Sequence, residues 1–262
     1  MPYTFGMRGS IIQETLAGFD CSLYLPPDYK ESKQSYPVIY LLGGKDLSHI
    51  MTILEKSMAA EPKKGQCKEA IIVGIDTQNP ERDYTPWEAE ALSSKSRPFT
   101  GKADHFLYIL ETQIKTFIDK NYRTKRDIED TSIAGYSLAG LTAIYALYTT
   151  GFALTYASIS GSLWFPKWDD FIKKHHLRQM SEDGVIRVYV SLGKTETNAS
   201  DKLKSKVDAR TQETVKILKE QVAASLGQDE SDIFFEYNEG GHWADIPERT
   251  AKGLAHLLMV DD

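Results

Sequence analysis

A serine in a turn of small residues is the first candidate for chemistry in this sequence. Ser137 lies in the stretch GYSLAG, between a β-prone run and an apolar helical pattern. A nucleophilic serine needs such a strand–turn–helix, because the turn exposes the hydroxyl and the helix N-terminus points free N–H groups at it. Ala139 stands where a second glycine is usual, but it is small enough for a close crossing of strand and helix. The alternative is an ordinary glycine-rich turn whose serine caps the helix.

A serine is a weak nucleophile unless a base takes its proton, and His242 is the candidate base. It follows the last predicted strand and precedes the last predicted helix, in the sequence NEGGHWADIP. Gly240 and Gly241 would let this loop bend, so that the imidazole reaches the serine. The alternative is a loop histidine that caps the following helix.

Glu196 is the candidate acid, because it comes three residues after Gly193, which ends a predicted strand. A carboxylate there would accept the Nδ1–H of His242, fix the imidazole tautomer and stabilise the imidazolium. Other arrangements stay open at this stage. Glu196 could be a surface residue, Asp201 could take its role, or the histidine could work without an acid.

Ester chemistry at Ser137 also needs two backbone N–H groups that bind an oxyanion. The N–H of Leu138, directly after the serine, is one candidate. The loop after the third predicted strand, LLGGKD, is expected to supply the other from Gly44 or Lys45. A simple β-turn is the alternative role of these glycines.

Strand and helix patterns alternate along the chain, which predicts βαβ units and a doubly wound, mostly parallel sheet of about eight strands. The turn at Ala17 and Gly18 predicts that the first two strands are antiparallel. Region 76–102 is the least regular, and a long irregular loop in a compact domain is often functional. The predicted strands are 8–16, 19–27, 36–44, 69–76, 130–137, 155–162, 185–193 and 233–242, and the predicted helices are 104–121, 138–148, 202–226 and 247–258.

The bulk composition indicates a globular enzyme with a single domain over residues 1–262. A net charge of −6 argues against a nucleic-acid partner, and no apolar run approaches the length of a membrane span. The sequence contains no metal-ligand spacing, and its two cysteines are expected to be reduced thiols. The start of the chain has no apolar signal segment, so we expect a cytoplasmic protein, either a monomer or a homodimer.

Taken together, these motifs resemble the esterase D-like family of α/β-hydrolases, and within it the bacterial siderophore esterases of the enterobactin and bacillibactin type. The resemblance covers nearly the whole chain. Two departures are Ala139 and the Gly-Gly-Lys of the oxyanion loop, where many members have an aspartate and a glycine. The matching stretches follow one another as YPVIYLLGG, ERDYTPW, GKADHFLYILETQIKTFID, IAGYSLAG, ISGSLWF, VYVSLGKTET and GGHW.

The resemblance implies an α/β-hydrolase fold without a separate large lid domain, and a serine ester hydrolase that uses no cofactor and no metal. It also implies that Arg82, Trp87 and Trp164 border the substrate pocket. The forked donors of Arg82 suit an anionic or catecholate-rich ligand, and the two indoles suit aromatic groups. Their alternative roles are a surface salt bridge and core packing.

The substrate that the resemblance implies is a small-molecule ester of the siderophore trilactone type, with ferric siderophores included. Several other functions remain open. The chain could be a generic carboxylesterase or thioesterase, a depsipeptide macrolactone hydrolase, or an acyltransferase in which an alcohol replaces water. A catalytically inactive binding protein of the same fold is a further alternative.

Overall fold

The computed structural model describes residues 6–177, 180, 184–198 and 202–260. Its centre is an eight-stranded sheet. The strands are β1 (Ser10–Leu16), β2 (Phe19–Leu25), β3 (Val38–Leu42), β4 (Ile71–Asp76), β5 (Thr131–Tyr136), β6 (Thr155–Ile159), β7 (Arg187–Gly193) and β8 (Ile233–Asn238). Their order in the sheet is β1-β2-β4-β3-β5-β6-β7-β8. The strand β2 is antiparallel to β1 and to β4, and the remaining neighbours are parallel.

Helices cover both faces of this sheet. The helix α3 runs over residues 103–121 in three consecutive stretches, Ala103–Ile109, a wider π turn at Leu110–Lys115, and Thr116–Asn121. The others are α1 (Leu47–Leu54), α2 (Pro80–Asp83), α4 (Leu138–Thr149), α5 (Trp168–Lys174), α6 (Val207–Leu226) and α7 (Ile246–Leu258). Within the part of the chain that the structure describes, no helix has the length and apolar character needed to cross a bilayer.

Alternate side chains of the central strands enter two separate cores, as the period of two in a strand requires. Tyr40 and Leu42 of β3 pack into the core beneath α3, α4, α5 and α6. Ile39 and Leu41 of the same strand pack into the core beneath α1 and α7. Because both faces are buried, β3 has the continuous apolar sequence that a parallel strand requires.

The predicted fold class is confirmed, including the mostly parallel eight-stranded sheet and its antiparallel first pair. The four predicted helices are present. The third was predicted to begin at residue 202, but α6 begins at Val207, and the residues Lys204–Lys206 before it form a tighter 3₁₀ turn. The short helices α1, α2 and α5 were not predicted. The irregular region 76–102 contains α2 and a two-stranded ribbon that pairs Glu88–Ala89 with Phe99–Thr100.

Candidate active site

Ser137 occupies a sharp turn between β5 and α4. Its backbone has φ 59° and ψ −121°, a conformation that costs an L-residue free energy and therefore persists only when the surrounding structure imposes it. Gly135 makes the turn possible, because a Cβ at this position would lie 2.4 Å from the backbone carbon and oxygen of Ala139. The same Cβ would lie 2.8 Å from the Ala139 methyl, so a larger side chain at 139 would aggravate an already close crossing. The small residues on both sides of Ser137 thus let strand and helix approach.

A chain of hydrogen bonds runs from Ser137 through His242 to Glu196. The Ser137 Oγ lies 2.9 Å from Nε2 of His242, and Nδ1 of His242 lies 2.8 Å from Oε2 of Glu196. The three residues come from the turn after β5, the loop between β8 and α7, and the turn after β7. The carboxyl ends of these parallel strands meet at one edge of the sheet, which is how residues 105 positions apart come into contact.

The Glu196 carboxylate is nearly enclosed, with 3% of its side chain exposed. Burial alone would raise the pKa of this carboxyl, but hydrogen bonds from His242, Ser160 and the Gly193 N–H outweigh it and hold the pKa below its ordinary value. The Gly193 N–H donates to Oε1 over 2.8 Å. An ionised carboxylate only accepts hydrogen bonds, so Nδ1 of His242 carries the proton and Nε2 is left to accept the Ser137 hydroxyl.

Asp201, the alternative acid, lies outside the described residues.

The two candidate oxyanion donors lie on either side of Ser137. Leu138 is the first residue of α4, where a backbone N–H has no partner within the helix. Lys45 lines a cavity of about 330 Å³ that Ser137 and Leu138 also line, so the loop after β3 reaches the serine. The Gly43 N–H donates to the Ile75 carbonyl over 2.8 Å and the Lys45 N–H donates to the Asp76 carboxyl, which makes Gly44 the better placed of the two candidates.

Gly44 has a packing role that the sequence did not indicate. A Cβ at this position would lie 2.4 Å from the Cα of Gly74 on β4. The glycine therefore lets the loop after β3 lie directly on the neighbouring strand. The absence of a side chain at Gly44 thus makes room for the backbone of β4.

Ser137 opens into a larger cavity of about 580 Å³ with aromatic and basic side chains in its wall. Trp243 lines this cavity and is 79% exposed, and it borders the smaller cavity as well. The lining residues are Glu81, Leu92, Ser96, Arg97, Phe99, Ser137, Leu138, Ser162, Trp164, Thr195, Glu196, Asn198, Lys204, Val207, His242 and Trp243.

The three residues predicted to bind substrate lie in different places. Trp164 lines the large cavity. Arg82 and Trp87 are not among its lining residues. The Arg82 guanidinium makes a two-pronged contact with the buried Asp83, at 2.8 and 3.1 Å. The Trp87 indole donates to the Pro166 carbonyl over 2.8 Å and packs against core aromatic rings. These contacts are the salt bridge and core packing named above as alternatives.

Among the cavity residues missed from the sequence are four with basic or aromatic side chains, Arg97, Phe99, Lys204 and Trp243. Two of them lie in region 76–102, whose irregularity was the available signal. Trp243 directly follows His242, and its position beside the base could have pointed to the pocket. Lys204 precedes α6, and nothing in its local sequence indicates that it lies near Ser137. Among the described residues, no group of His, Cys, Asp and Glu side chains is arranged to hold a metal ion.

The strand order, and a serine on the sharp turn between β5 and the following helix, define the α/β-hydrolase class. The chain belongs to the Esterase family, described as "Putative esterase", which matches residues 17–245. It is therefore a carboxylic ester hydrolase.

Two relatives from bacteria are similar over different shares of their length. The protein named "Uncharacterized protein YbbA" of Bacillus subtilis is 28% identical over 218 residues, which cover 82% of this chain and 84% of that protein. Esterase Rv1288 of Mycobacterium tuberculosis is 27% identical over 141 residues, which cover 53% of this chain. The match spans only 28% of that esterase's own length.

Solved structures share the fold at lower sequence identity. An IroE-like serine hydrolase from Shewanella oneidensis has a TM-score of 0.75 at 22% identity, covering 96% of this chain and 82% of that one. The enterobactin esterase FES from Shigella flexneri, solved in the presence of enterobactin, has a TM-score of 0.63 at 17% identity. That match covers 95% of this chain and 58% of the FES chain.

Proposed function

We propose that this esterase works through a Ser137–His242–Glu196 triad and an acyl-enzyme intermediate. His242 Nε2 takes the proton of Ser137 as Oγ attacks the ester carbonyl carbon. The tetrahedral oxyanion is bound by the N–H groups of Leu138 and of Gly44 or Lys45. The carbonyl–alkoxy bond then breaks, and the alcohol leaves with the proton from His242. Water repeats the sequence on the acyl-enzyme, which releases the carboxylic acid and restores the Ser137 hydroxyl.

The observation that carries this proposal is the unbroken hydrogen-bonded chain that ends at the mouth of a cavity. The links of 2.9 and 2.8 Å have the lengths that proton transfer through an imidazole requires. Glu196 is held as a carboxylate by its surroundings, so it can stabilise the imidazolium that forms during attack. The open side of Ser137 faces the space of about 580 Å³ where an ester could lie.

The chemistry of the cavity wall supports an anionic, aromatic ester, and we propose a siderophore trilactone of the catecholate type as substrate. Phe99, Trp164 and Trp243 offer flat apolar faces on which aromatic rings can stack. Arg97 and Lys204 bring positive charge to the same space, which favours the negative charge of a ferric catecholate. The similar FES structure belongs to a protein named as an enterobactin esterase, which is an esterase that acts on a siderophore.

A comparison of substrates tests this proposal directly. We expect the wild-type protein to hydrolyse catecholate trilactones, with and without iron, at a higher kcat/KM than p-nitrophenyl acetate. Ser137→Ala should hydrolyse neither. Trilactones left intact by an enzyme that turns over simple esters would make the substrate class wrong. Acyl transfer to an added alcohol in preference to water would instead identify a transferase.

The role of the positive charge is tested in the same assay. We expect Arg97→Gln to raise KM for the ferric trilactone by about tenfold, because one ion pair with the anion is lost. Lys95→Gln is the matched control, since Lys95 is an exposed cation of the same loop and is not among the cavity-lining residues. An equal response of the two variants would assign the effect to net charge instead of the cavity.

A further inference from the structure

A buried arginine lies directly behind the Glu196–His242 pair. Arg249 belongs to α7, the helix that follows the His242 loop, and only 3% of its side chain is exposed. Its Nη1 lies 3.5 Å from Oε1 of Glu196, the carboxylate oxygen that His242 does not use. Its Nη2 donates to the backbone carbonyl of Glu239, at the start of the His242 loop. Arg249 thus contacts the acid and the loop that carries the base.

A second set of contacts connects Arg249 to His242 through Tyr136. Nη1 of Arg249 donates to the Tyr136 hydroxyl over 3.3 Å and to the Ser160 hydroxyl over 3.2 Å. The Tyr136 hydroxyl in turn donates to the backbone carbonyl of His242 over 2.5 Å. Burial raises the pKa of Tyr136, so the phenol keeps the proton that it donates.

The end of β7 is shaped to admit this arginine. A Cβ on Gly193 would lie 2.9 Å from Nη2 of Arg249 and 2.9 Å from Oε1 of Glu196. It would also lie 2.6 Å from the carbonyl oxygen of Gly240. Any other residue at position 193 would therefore push the guanidinium, the carboxylate and the His242 loop apart. A buried charge is costly unless it is paired, and Glu196 is the anion within reach.

We propose that Arg249 is a positioning residue that fixes Glu196 and the His242 loop and offsets part of the carboxylate charge. This inference rests on the proposed triad. The guanidinium contacts Oε1 of Glu196, so it can orient the carboxylate without competing with the Nδ1–H of His242 for Oε2. Its positive charge also offsets part of the negative charge that Glu196 presents to the imidazole.

The charges around His242 fix the sign of the expected effect. Glu196 and Arg249 are the ionised groups at the back of the imidazole, and the neutral side chains of Tyr136, Ser137 and Trp243 contact it from the other elements.

More distant charges lie around the His242 imidazole and its neighbours. Glu81, Arg97 and Lys204 line the cavity beyond Ser137, and the exposed Glu239 pairs with Lys194. Removal of the Arg249 charge leaves the Glu196 charge uncompensated, which favours the imidazolium.

The test is the pH profile of kcat/KM for p-nitrophenyl acetate in Arg249→Met and Arg249→Lys. In Arg249→Met we expect the pKa of the acid limb to rise by about one pH unit, as Coulomb's law gives for a charge lost a few ångströms away. We also expect kcat to fall roughly 10–100-fold as the pair loses its alignment. Arg249→Lys keeps the positive charge but loses the planar set of guanidinium donors. Its acid limb should therefore stay near that of the wild type, while kcat still falls.

Lys252→Met is the matched control, because it removes a lysine of the same helix that pairs with Glu236 at the surface. Its profile should match that of the wild type. An acid limb that is unmoved or lowered in folded Arg249→Met overturns the inference. Should Arg249→Met fail to fold, unchanged kcat in Arg249→Lys overturns it equally. Ser137→Ala keeps the two claims apart, since retained turnover there would contradict the proposed function itself.

Discussion

The strained backbone of Ser137 is the feature on which the proposed chemistry of this protein depends at the scale of single residues. Its φ of 59° is allowed because Gly135 and Ala139 are small where β5 and α4 cross. The sequence was sufficient to predict a tight turn at Ser137, since a close crossing of strand and helix requires a small residue on each side of the serine. Glu196 and His242 could also be predicted as candidates, because they come three and four residues after the ends of strands, at Gly193 and Asn238.

Arg249 could not be predicted in the same way. A single arginine in the first turns of an amphipathic helix is ordinarily a solvated residue, and its burial depends on contacts with Glu196, Ser160 and Tyr136. These partners come from three other parts of the chain. No local pattern in the sequence encodes such a contact, so only the folded structure reveals it.

The role of Glu196 is tested by comparing Glu196→Gln with Asp201→Asn. We expect Glu196→Gln to lower kcat by roughly 10³–10⁴-fold, because a neutral amide neither holds the Nδ1–H tautomer nor stabilises the imidazolium. Asp201→Asn should retain nearly full turnover. The measurement is steady-state hydrolysis of p-nitrophenyl acetate, with circular dichroism to verify the fold. The reverse ranking of the two variants would move the role of the acid to Asp201.

At the scale of elements, the ends of strands position the site. The carboxyl ends of β3, β5 and β7 and the loop after β8 bring the candidate oxyanion loop, Ser137, Glu196 and His242 together at one edge of the sheet. The apolar runs were long enough to predict these strands and their parallel arrangement. The helices α1 and α5 were missed because they have only eight and seven residues, too few to show a clear helical period.

A substitution at Gly193 tests how closely the end of β7, the His242 loop and α7 must approach one another. We expect Gly193→Ala to lower the free energy of unfolding by about 1–3 kcal/mol, because its Cβ would overlap with Gly240, Arg249 and Glu196. Activity should fall as well, since the same groups hold His242. Urea unfolding and ester hydrolysis provide the two measurements.

Gly151→Ala is the control for that substitution, because a Cβ there would meet no atom within 4 Å. Its unfolding free energy should stay close to that of the wild type. Equal behaviour of the two variants would show that the end of β7 tolerates a side chain, which contradicts the tight packing described above.

At the scale of the whole molecule, a protein with a net charge of −6 places two basic side chains, beside the acidic Glu81, in the cavity that the candidate nucleophile Ser137 lines. Arg97 comes from the region before α3, and Lys204 comes from the turn before α6. Their approach to one cavity depends on how these segments cross the edge of the sheet, which neither composition nor periodicity specifies. This is why the fold and the triad candidates could be predicted from the sequence, while most of the cavity wall could not.

The central claim is that Ser137 is the nucleophile, and covalent labelling with a fluorophosphonate tests it most directly. The probe forms a phosphorus–oxygen bond with an activated serine and releases fluoride. We predict one adduct per chain in the intact mass of the wild-type protein, located at Ser137 by peptide mapping, and none in Ser137→Ala or His242→Ala. An adduct on another residue, or labelling of Ser137→Ala at the wild-type rate, would contradict the account.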